Sequence, residues 1–383
     1  MGFSWMFDPP LLSLAKEIKQ AIAREKEMPE GVSLPAKEQK IVEHIKEQTF
    51  LRNQDNVERT RAYVEYYQKH TEIHWALLAH LVSRNAGWSM TDLRGELLPK
   101  LLSPKEQNDY FLFLERGNWL IFQDAYPQLL LYEECVRQKT NLFHLLPHFH
   151  VSVFTQALWN QFWREGDRDL LAVGLIINEQ QHLEEQVMKE ESYQKTVLGT
   201  LPFAIQELLA LNQILFPCAG DGQPLRLVGE TVSHFASVTE RISLGKRLYA
   251  LLFRDDFLLQ AVFGWARGQA HTGSRKDFWP HLFHDVKESV PGKPYQRRVG
   301  DCLLVPGAKR LYSPTLRQAW KQVKHEMPAE REWYRDRSVL SYLRIPKEKA
   351  PAPVNRGEAY CRTLEKIELA VLARGKIFGA KEP

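Results

Sequence analysis

The chain has 383 residues, beyond the roughly 250–300 at which single hydrophobic cores stop growing, so one large lobe with appendages, or two subdomains, is the expectation. With 44% hydrophobic, 26% charged and 11% aromatic residues, the composition excludes a disordered, collagen-like or disulfide-scaffold protein. The net charge of +4 is unevenly spread: residues 287–347 hold 14 Lys/Arg against 6 Asp/Glu, which leaves the first 286 residues acidic on balance.

Hydrophobic period and punctuation predict helices almost throughout. Leu11, Leu14, Ala15, Ile18 and Ile22 mark one face of a first helix over 9–27, followed by a loop over 28–35 and a second helix reaching Gln48. Asp55 with Glu58 reads as a capping box, in which each side chain satisfies an orphan backbone N–H, so a third helix is placed at 56–69. Thr71 caps a fourth from Glu72 to Arg84. Asn85-Ala-Gly87 is expected to stop it, because glycine takes the left-handed conformation that ends helices. Ser103-Pro104-Lys-Glu106 starts a helix over 104–116. Further starts are read at Asp124, before Pro147, at Asp167, near Pro202, at Gly229, at Asp255, at Ser313-Pro314 and at Met327-Pro328. Only 225–228 and 302–305 pattern as short strands.

The expected fold is therefore all-α, a large multi-helix body with very little strand. Residues 1–39 form an N-terminal amphipathic helix and loop, 40–290 the main body, and 291–345 a basic, aromatic-rich helical segment packed on it. Residues 346–383 read as a Pro-rich linker and a C-terminal helix over about 357–373.

Polar chemistry concentrates in 52–95. Between 73 and 82 eight of ten residues are apolar on all sides of the helix, which marks it as buried. His74 and His80 lie about 240° apart around its axis and do not share a face, whereas His80 and Arg84 do. Buried polar groups need partners, and Arg52, Asn53, Asp55, Asn56 and Arg59 on the preceding segment supply them. One outcome is a hydrogen-bonded network that clamps helices and loops together. The other is a pocket in which Glu72, His74 or Asp55 works as acid or base while Arg59 or Arg84 holds an anion. In that pocket Arg52, Asn53, Asn56, Arg59, His80, Arg84 and Asn85 are the ligand-binding candidates. A second polar loop, His271 to His281, adds Thr272, Ser274 and Arg275, donors around Gly273 that suit a phosphate or carboxylate.

No cofactor is expected, since neither G-x-x-x-x-G-K-[ST] nor G-x-G-x-x-G occurs. Nor is a metal: Glu179-x-x-His182 lacks the second copy that a di-iron bundle needs, and the histidines around Pro147 and at 281–284 match no zinc pattern. The four cysteines stand singly, without C-x-x-C, and the N-terminus lacks the basic and long apolar regions of a signal peptide. A reduced, cytoplasmic location is expected. Tyr295, Tyr312, Trp320, Trp333, Tyr334 and Tyr342, interleaved with the basic residues of 291–345, would suit a nucleic-acid surface, although aromatics turned inward from a solvated face read the same way. The first helix, with Phe3, Trp5, Met6 and Phe7 ahead of it, would suit a membrane surface or the main body.

The phrases Arg52-Asn-x-Asp-Asn56-x-x-Arg59-Thr60-x-Ala62-Tyr63, Glu72-Ile-His-Trp-Ala-Leu-Leu-Ala-His80, Ser83-Arg-Asn-Ala-Gly-Trp88-x-Met90-Thr-Asp-Leu93 and His271-Thr-Gly-Ser-Arg275-x-Asp277-x-Trp-Pro280 resemble the YppC-like family of uncharacterised proteins of bacilli, over roughly residues 40–345. The resemblance implies a cytoplasmic protein of a Gram-positive, spore-forming bacterium and brings no activity or catalytic residue with it. The role expected on these grounds is a binding or scaffolding protein whose partner the sequence leaves open between a protein and an anionic small molecule. The first alternative is an enzyme acting on an anionic small molecule, the second a nucleic-acid or membrane-surface binder.

Overall fold

The computed structural model describes residues 9–27, 34–200, 213–218, 226–232, 234–288, 294–328, 332–335, 337–344 and 354–378. Seven long helices come first: α1 (Pro9–Glu27), α2 (Ala36–Arg52), α3 (Asn56–Lys69), α4 (His74–Asp92), α5 (Pro104–Gln138), α6 (Val153–Glu165) and α7 (Arg168–Leu183). A two-stranded ribbon, β1 (Gln213–Cys218) with β2 (Arg226–Thr231), precedes α8 (Val238–Phe253) and α9 (Asp256–Gly268). The last described element is α10 (Gly357–Phe378), and the fold is all-α with small strands.

Local chemistry sets most of the starts. Asp55, Asp167, Ser237 and Asp255 each accept a backbone N–H three residues on, and Ser103 with Glu106 forms a full capping box. At α3 only half of the expected box exists, because Glu58 turns its carboxylate to Arg61 and Arg317 instead.

Three helices outrun the sequence reading. α4 begins at His74, leaving Glu72 outside it, and passes through Asn85-Ala-Gly87 to Asp92. Gly87 serves close packing, since a Cβ there would lie 2.5 Å from Asn56 Oδ1 and 2.7 Å from the His271 ring. α5 passes through Asp124 and Pro127 to Gln138. The hydrogen bond that Pro127 forgoes is outweighed by burial of Phe122, Ala125, Tyr126 and Leu129 around it. α2 likewise runs four residues past Gln48, to Arg52.

The start expected at Gly229 is instead mid-strand in β2, paired with Leu215 of β1, where Ile214 O leaves no room for a side chain. The start near Pro202 falls outside the described residues. So does most of the Pro-rich linker. Of residues 291–345, expected to be helical, the described ones hold a helical turn at Leu316–Ala319, a 3-10 segment at Arg337–Leu343, and two-residue strand pairings of 299–300 with 303–304 and of 311–312 with 283–284; Met327 and Pro328 belong to no regular element, and residues 329–331, where the helix expected from them would begin, fall outside the described residues.

α4 is the axis of the fold. It packs on α3, α5, α7, α8 and β1, and its residues enter three buried clusters. Trp75, Leu77 and Leu81 belong to the main core, and Trp88 to a second that includes Phe278, Trp279, Phe283, Leu311, Tyr360 and Leu364. Met90 and Leu93 belong to a third with Tyr110, Phe113 and Val197. α1 lays Leu11, Leu14 and Ile18 into the main core beside α6. α10 docks through Tyr360, Leu364, Ile367 and Val371, and a Cys302–Cys361 disulfide ties it to the 299–304 hairpin. A bridge is not what single cysteines and a reduced compartment lead one to expect.

Candidate functional site

Residues from all four sequence phrases meet, although Glu72 and His74 do not join them. Asn56, at the start of α3, donates to Ser83 O (3.0 Å), Ser83 Oγ (2.9 Å) and Asn118 Oδ1 (3.3 Å). Its own carbonyl oxygen therefore accepts from Nε2 of His271 (2.8 Å), which fixes the neutral tautomer of that ring with Nδ1 as an acceptor. Thr60 joins Ser83 Oγ at 2.6 Å, and its backbone carbonyl accepts from Nδ1 of His80 (2.7 Å). Nε2 of His80 then accepts from Nε of Arg84 (3.1 Å), which also donates to Gln269 O and lies over the Trp265 ring.

Burial sets the electrostatics here. It holds His80 down to about 3, helped by Arg84, and pushes His271 well below the usual imidazole range for the same reasons. It lowers the Arg84 guanidinium to about 10. Asp277 is raised by burial, although Thr272 donates to it through both N (2.7 Å) and Oγ1 (2.8 Å). Arg59, 1% exposed, donates to Asn53 (3.3 Å) and to Glu115 (2.5 Å). Burial would raise that carboxyl, but Arg59 and His325 hold it below its usual range.

Other candidates lie apart. Glu72 accepts from Tyr132 (3.0 Å) at the far end of α3 and α4, beside His70. His74 bonds the Tyr249 hydroxyl (2.9 Å) and stacks on Phe253, and burial lowers it to about 4. Asp55 caps α3 and pairs with Arg317 (2.8 Å); Arg52 pairs with Glu65 (3.0 Å). Asn85 exchanges two hydrogen bonds with the backbone of Leu215 and so pins β1 to α4. Ser274 donates to Ser313 O (2.6 Å). Asn56, His80 and Arg84 thus share one network through Ser83, Thr60 and His271, and Asn53 and Arg59 a second with Glu115; Arg59 Nε, Arg84 Nη1 and His271 Nδ1 have no hydrogen-bond partner.

A space of ligand size lies on the opposite side of the last turns of α4. A cavity of about 490 Å³ occupies the seam between the second and third buried clusters. Its described walls include Leu93, Leu97, Phe113, Phe283, Leu364 and Ile367, with Ala370 and Arg374 of α10 exposed at its rim. Arg275, reached from the second polar loop, grips Asp92 at 2.7 and 2.8 Å under the Trp88 ring and donates to Tyr360, a cluster that braces one wall. Burial raises Asp92 even so. Of the residues singled out from sequence, only Asn85 and Arg275 line this cavity. Trp88, Asp92 and Glu96 escaped because α4 was expected to end at Gly87; extended, the helical spacing puts Trp88 and Asp92 on one face.

Several basic residues of 291–345 pair with acids across the molecule: Arg298 with Glu96, Arg310 with Glu288, Arg317 with Asp55 and Glu58, Arg335 with Glu185. The interleaved aromatics turn inward, Trp320 onto Phe111 and Trp333 to Asn178. Among the described residues no group of three or more His, Cys, Asp and Glu is placed to hold a metal ion, and no helix is long and apolar enough to cross a membrane.

Fold and site define an all-α protein wound on a buried central helix, with an apolar cavity at that helix's C-terminal end. The chain belongs to the family described as Protein of unknown function (DUF2515), whose profile matches residues 52–360. It is 35% identical over 322 residues to the Uncharacterized protein YppC of Bacillus subtilis (strain 168), covering 84% of this chain and 91% of that protein. No solved structure matches.

Proposed function

We propose that the protein binds a small, largely apolar molecule in the cavity between α4, α5 and α10, and acts through binding rather than catalysis. The cavity carries this reading: its 490 Å³ falls within the roughly 300–1,000 Å³ typical of small-molecule sites, and such sites are apolar with a few polar groups, as here. An enzyme acting on an anion through Arg59, His80 and Arg84 has less support, because those groups spend their donors on Glu115, Thr60 O, Gln269 O and each other, and Glu72 and His74 lie apart from them.

The test is fluorescence titration with N-phenyl-1-naphthylamine, an uncharged apolar probe, on wild type and Ala370→Trp, alongside native mass spectrometry for co-purifying mass. Position 370 is an exposed wall residue, so the indole narrows the mouth without disturbing the core. Probe affinity should fall about tenfold or more at unchanged melting temperature. Equal affinity in the two proteins rejects the reading.

We also place its action in the cytoplasm, as the sequence suggests. The Cys302–Cys361 bridge is the feature that argues the other way. Trapping thiols in intact cells decides it: a bridge found reduced there supports the cytoplasm, and one found oxidised counts against it.

A further inference from the structure

Along the cavity α10 grades from closed to open. Leu364, Ile367, Ala370 and Arg374 all line the space and share one face of the helix. The first two are buried, at 3% and 8% exposure, whereas Ala370 and Arg374 are exposed. About ten residues at 1.5 Å rise set Arg374 about 15 Å along the axis from Leu364, so the wall is apolar at its closed end and cationic at its mouth. The guanidinium is held there: Nη1 donates to the carbonyl oxygen of Leu101 (2.5 Å), itself a wall residue, and so spans from α10 to the turn before α5. Nε and Nη2, an edge that can hold both oxygens of a carboxylate, take no partner among the described residues. The other charged wall residues are paired, Arg275 with Asp92 and Glu96 with Arg298 (3.4 Å), whereas Arg374 forms no ion pair among the described residues. Glu106 feels Arg374 only weakly; its carboxyl is held below the usual range first by Ser103, whose N and Oγ both donate to it (2.7 Å).

Resting on the cavity being a ligand site, we infer that its ligand is a fatty carboxylate, an acyl chain lying along α10 with its carboxylate on Arg374 at the mouth. The chain gains by burial against Leu364 and Ile367, while the charge stays at the exposed rim and is spared the cost of desolvation in the interior. Two oxygens and one negative charge match the free edge of one guanidinium. A phosphate head, at about −1.5 to −2, exceeds that single positive charge, and an ammonium head meets a like one. The anion thus goes to Arg374 rather than to Arg59 or Arg84, which bond within the fold.

Competition against bound N-phenyl-1-naphthylamine tests it, using decanoate, 1-decanol, decylamine and decyl phosphate below their micelle concentrations at pH 7.5 and fixed ionic strength. In the wild type decanoate should displace the probe at a concentration about three- to tenfold lower than decylamine. Arg374→Gln should raise the decanoate needed by about the same factor and leave decanol and the probe unchanged, and Arg374→Lys, which keeps the charge and loses the fork, should fall between. The wild-type ranking stands even where a variant folds poorly. Decanoate unaffected by Arg374→Gln, matched by decylamine or bettered by decyl phosphate overturns the carboxylate while leaving the cavity reading intact, as does failure of all four to displace a bound probe. A wild type that binds no probe removes the cavity reading itself.

Discussion

The His271 ring lies directly on Gly87: a Cβ built on that glycine would stand 2.7 Å from both Cε1 and Nε2, and 2.5 Å from the Asn56 oxygen that the ring bonds. Gly87→Ala therefore sets two effects against each other. Helix propensity gains about 1 kcal/mol, while overpacking costs about 1–3 and the displaced hydrogen bond about 1. The clash wins, and urea denaturation should show a net loss of about 1–3 kcal/mol. An unchanged or stabilised variant would mean that α3, α4 and the 271–277 loop are not clamped at this point.

The buried histidines should stay neutral under mild acid. His80 is pushed down to about 3 and His271 well below the usual imidazole range, so their Cε1–H resonances should not move between pH 7.5 and 5.5. Each contributes stability that is fully present above the unfolded value near 6.5 and is lost as pH falls through the folded one. A midpoint near 6.5 for either ring would show that water reaches the network.

Glu179 behaves in the opposite sense. Burial raises it to about 7, although Trp75 donates to it (3.3 Å). A carboxyl raised in the fold favours the folded state below its unfolded value near 4.5, and that contribution fades as pH rises through 7. Glu179→Gln should match wild type at pH 5 and exceed it at pH 8 by about 1–2 kcal/mol, the side chain being only partly buried. Parallel melting curves at both pH values would sink this account.

The bridge closes a loop with a sequence separation of 59, which in chain-entropy terms stabilises the fold by about 4 kcal/mol. Cys361→Ser should lower stability by up to that amount, with α10 the first element to lose amide protection. In unreduced, unfolded protein a thiol reagent should count two thiols, Cys135 and Cys218, and a count of four would show the pair to be open.

Four helix starts, at Asp55, Ser103, Asp167 and Asp255, were legible in the sequence because a cap is local chemistry and needs only the next turn, whereas those read at Asp124 and Gly229 fall inside α5 and β2. Helix ends were not. Whether Gly87 stops α4, or Pro127 stops α5, depends on what packs against them, His271 in one case and the core around Phe122 and Leu129 in the other. The 52–60 segment and His80 could be read as meeting, since the apolar surroundings of α4 demanded partners for its polar groups. The cavity could not, because its walls come from segments as distant as Leu93, Phe283 and Leu364, and an absence of atoms leaves no local pattern.

The late chain also finishes the early one. Trp320 caps Met90 O and lies flat on Phe111, Leu316 N reaches Thr272 O, and Arg317 closes on Asp55 at the head of α3. During synthesis the ribosome therefore delivers α3 and α4 more than two hundred residues before their lid. For that interval the C-terminal half of α4, with Trp88, Met90 and Leu93, must be shielded by other nascent segments or a chaperone. A chain that stops short of residue 320 should emerge as a sticky, protease-sensitive product rather than a smaller working protein.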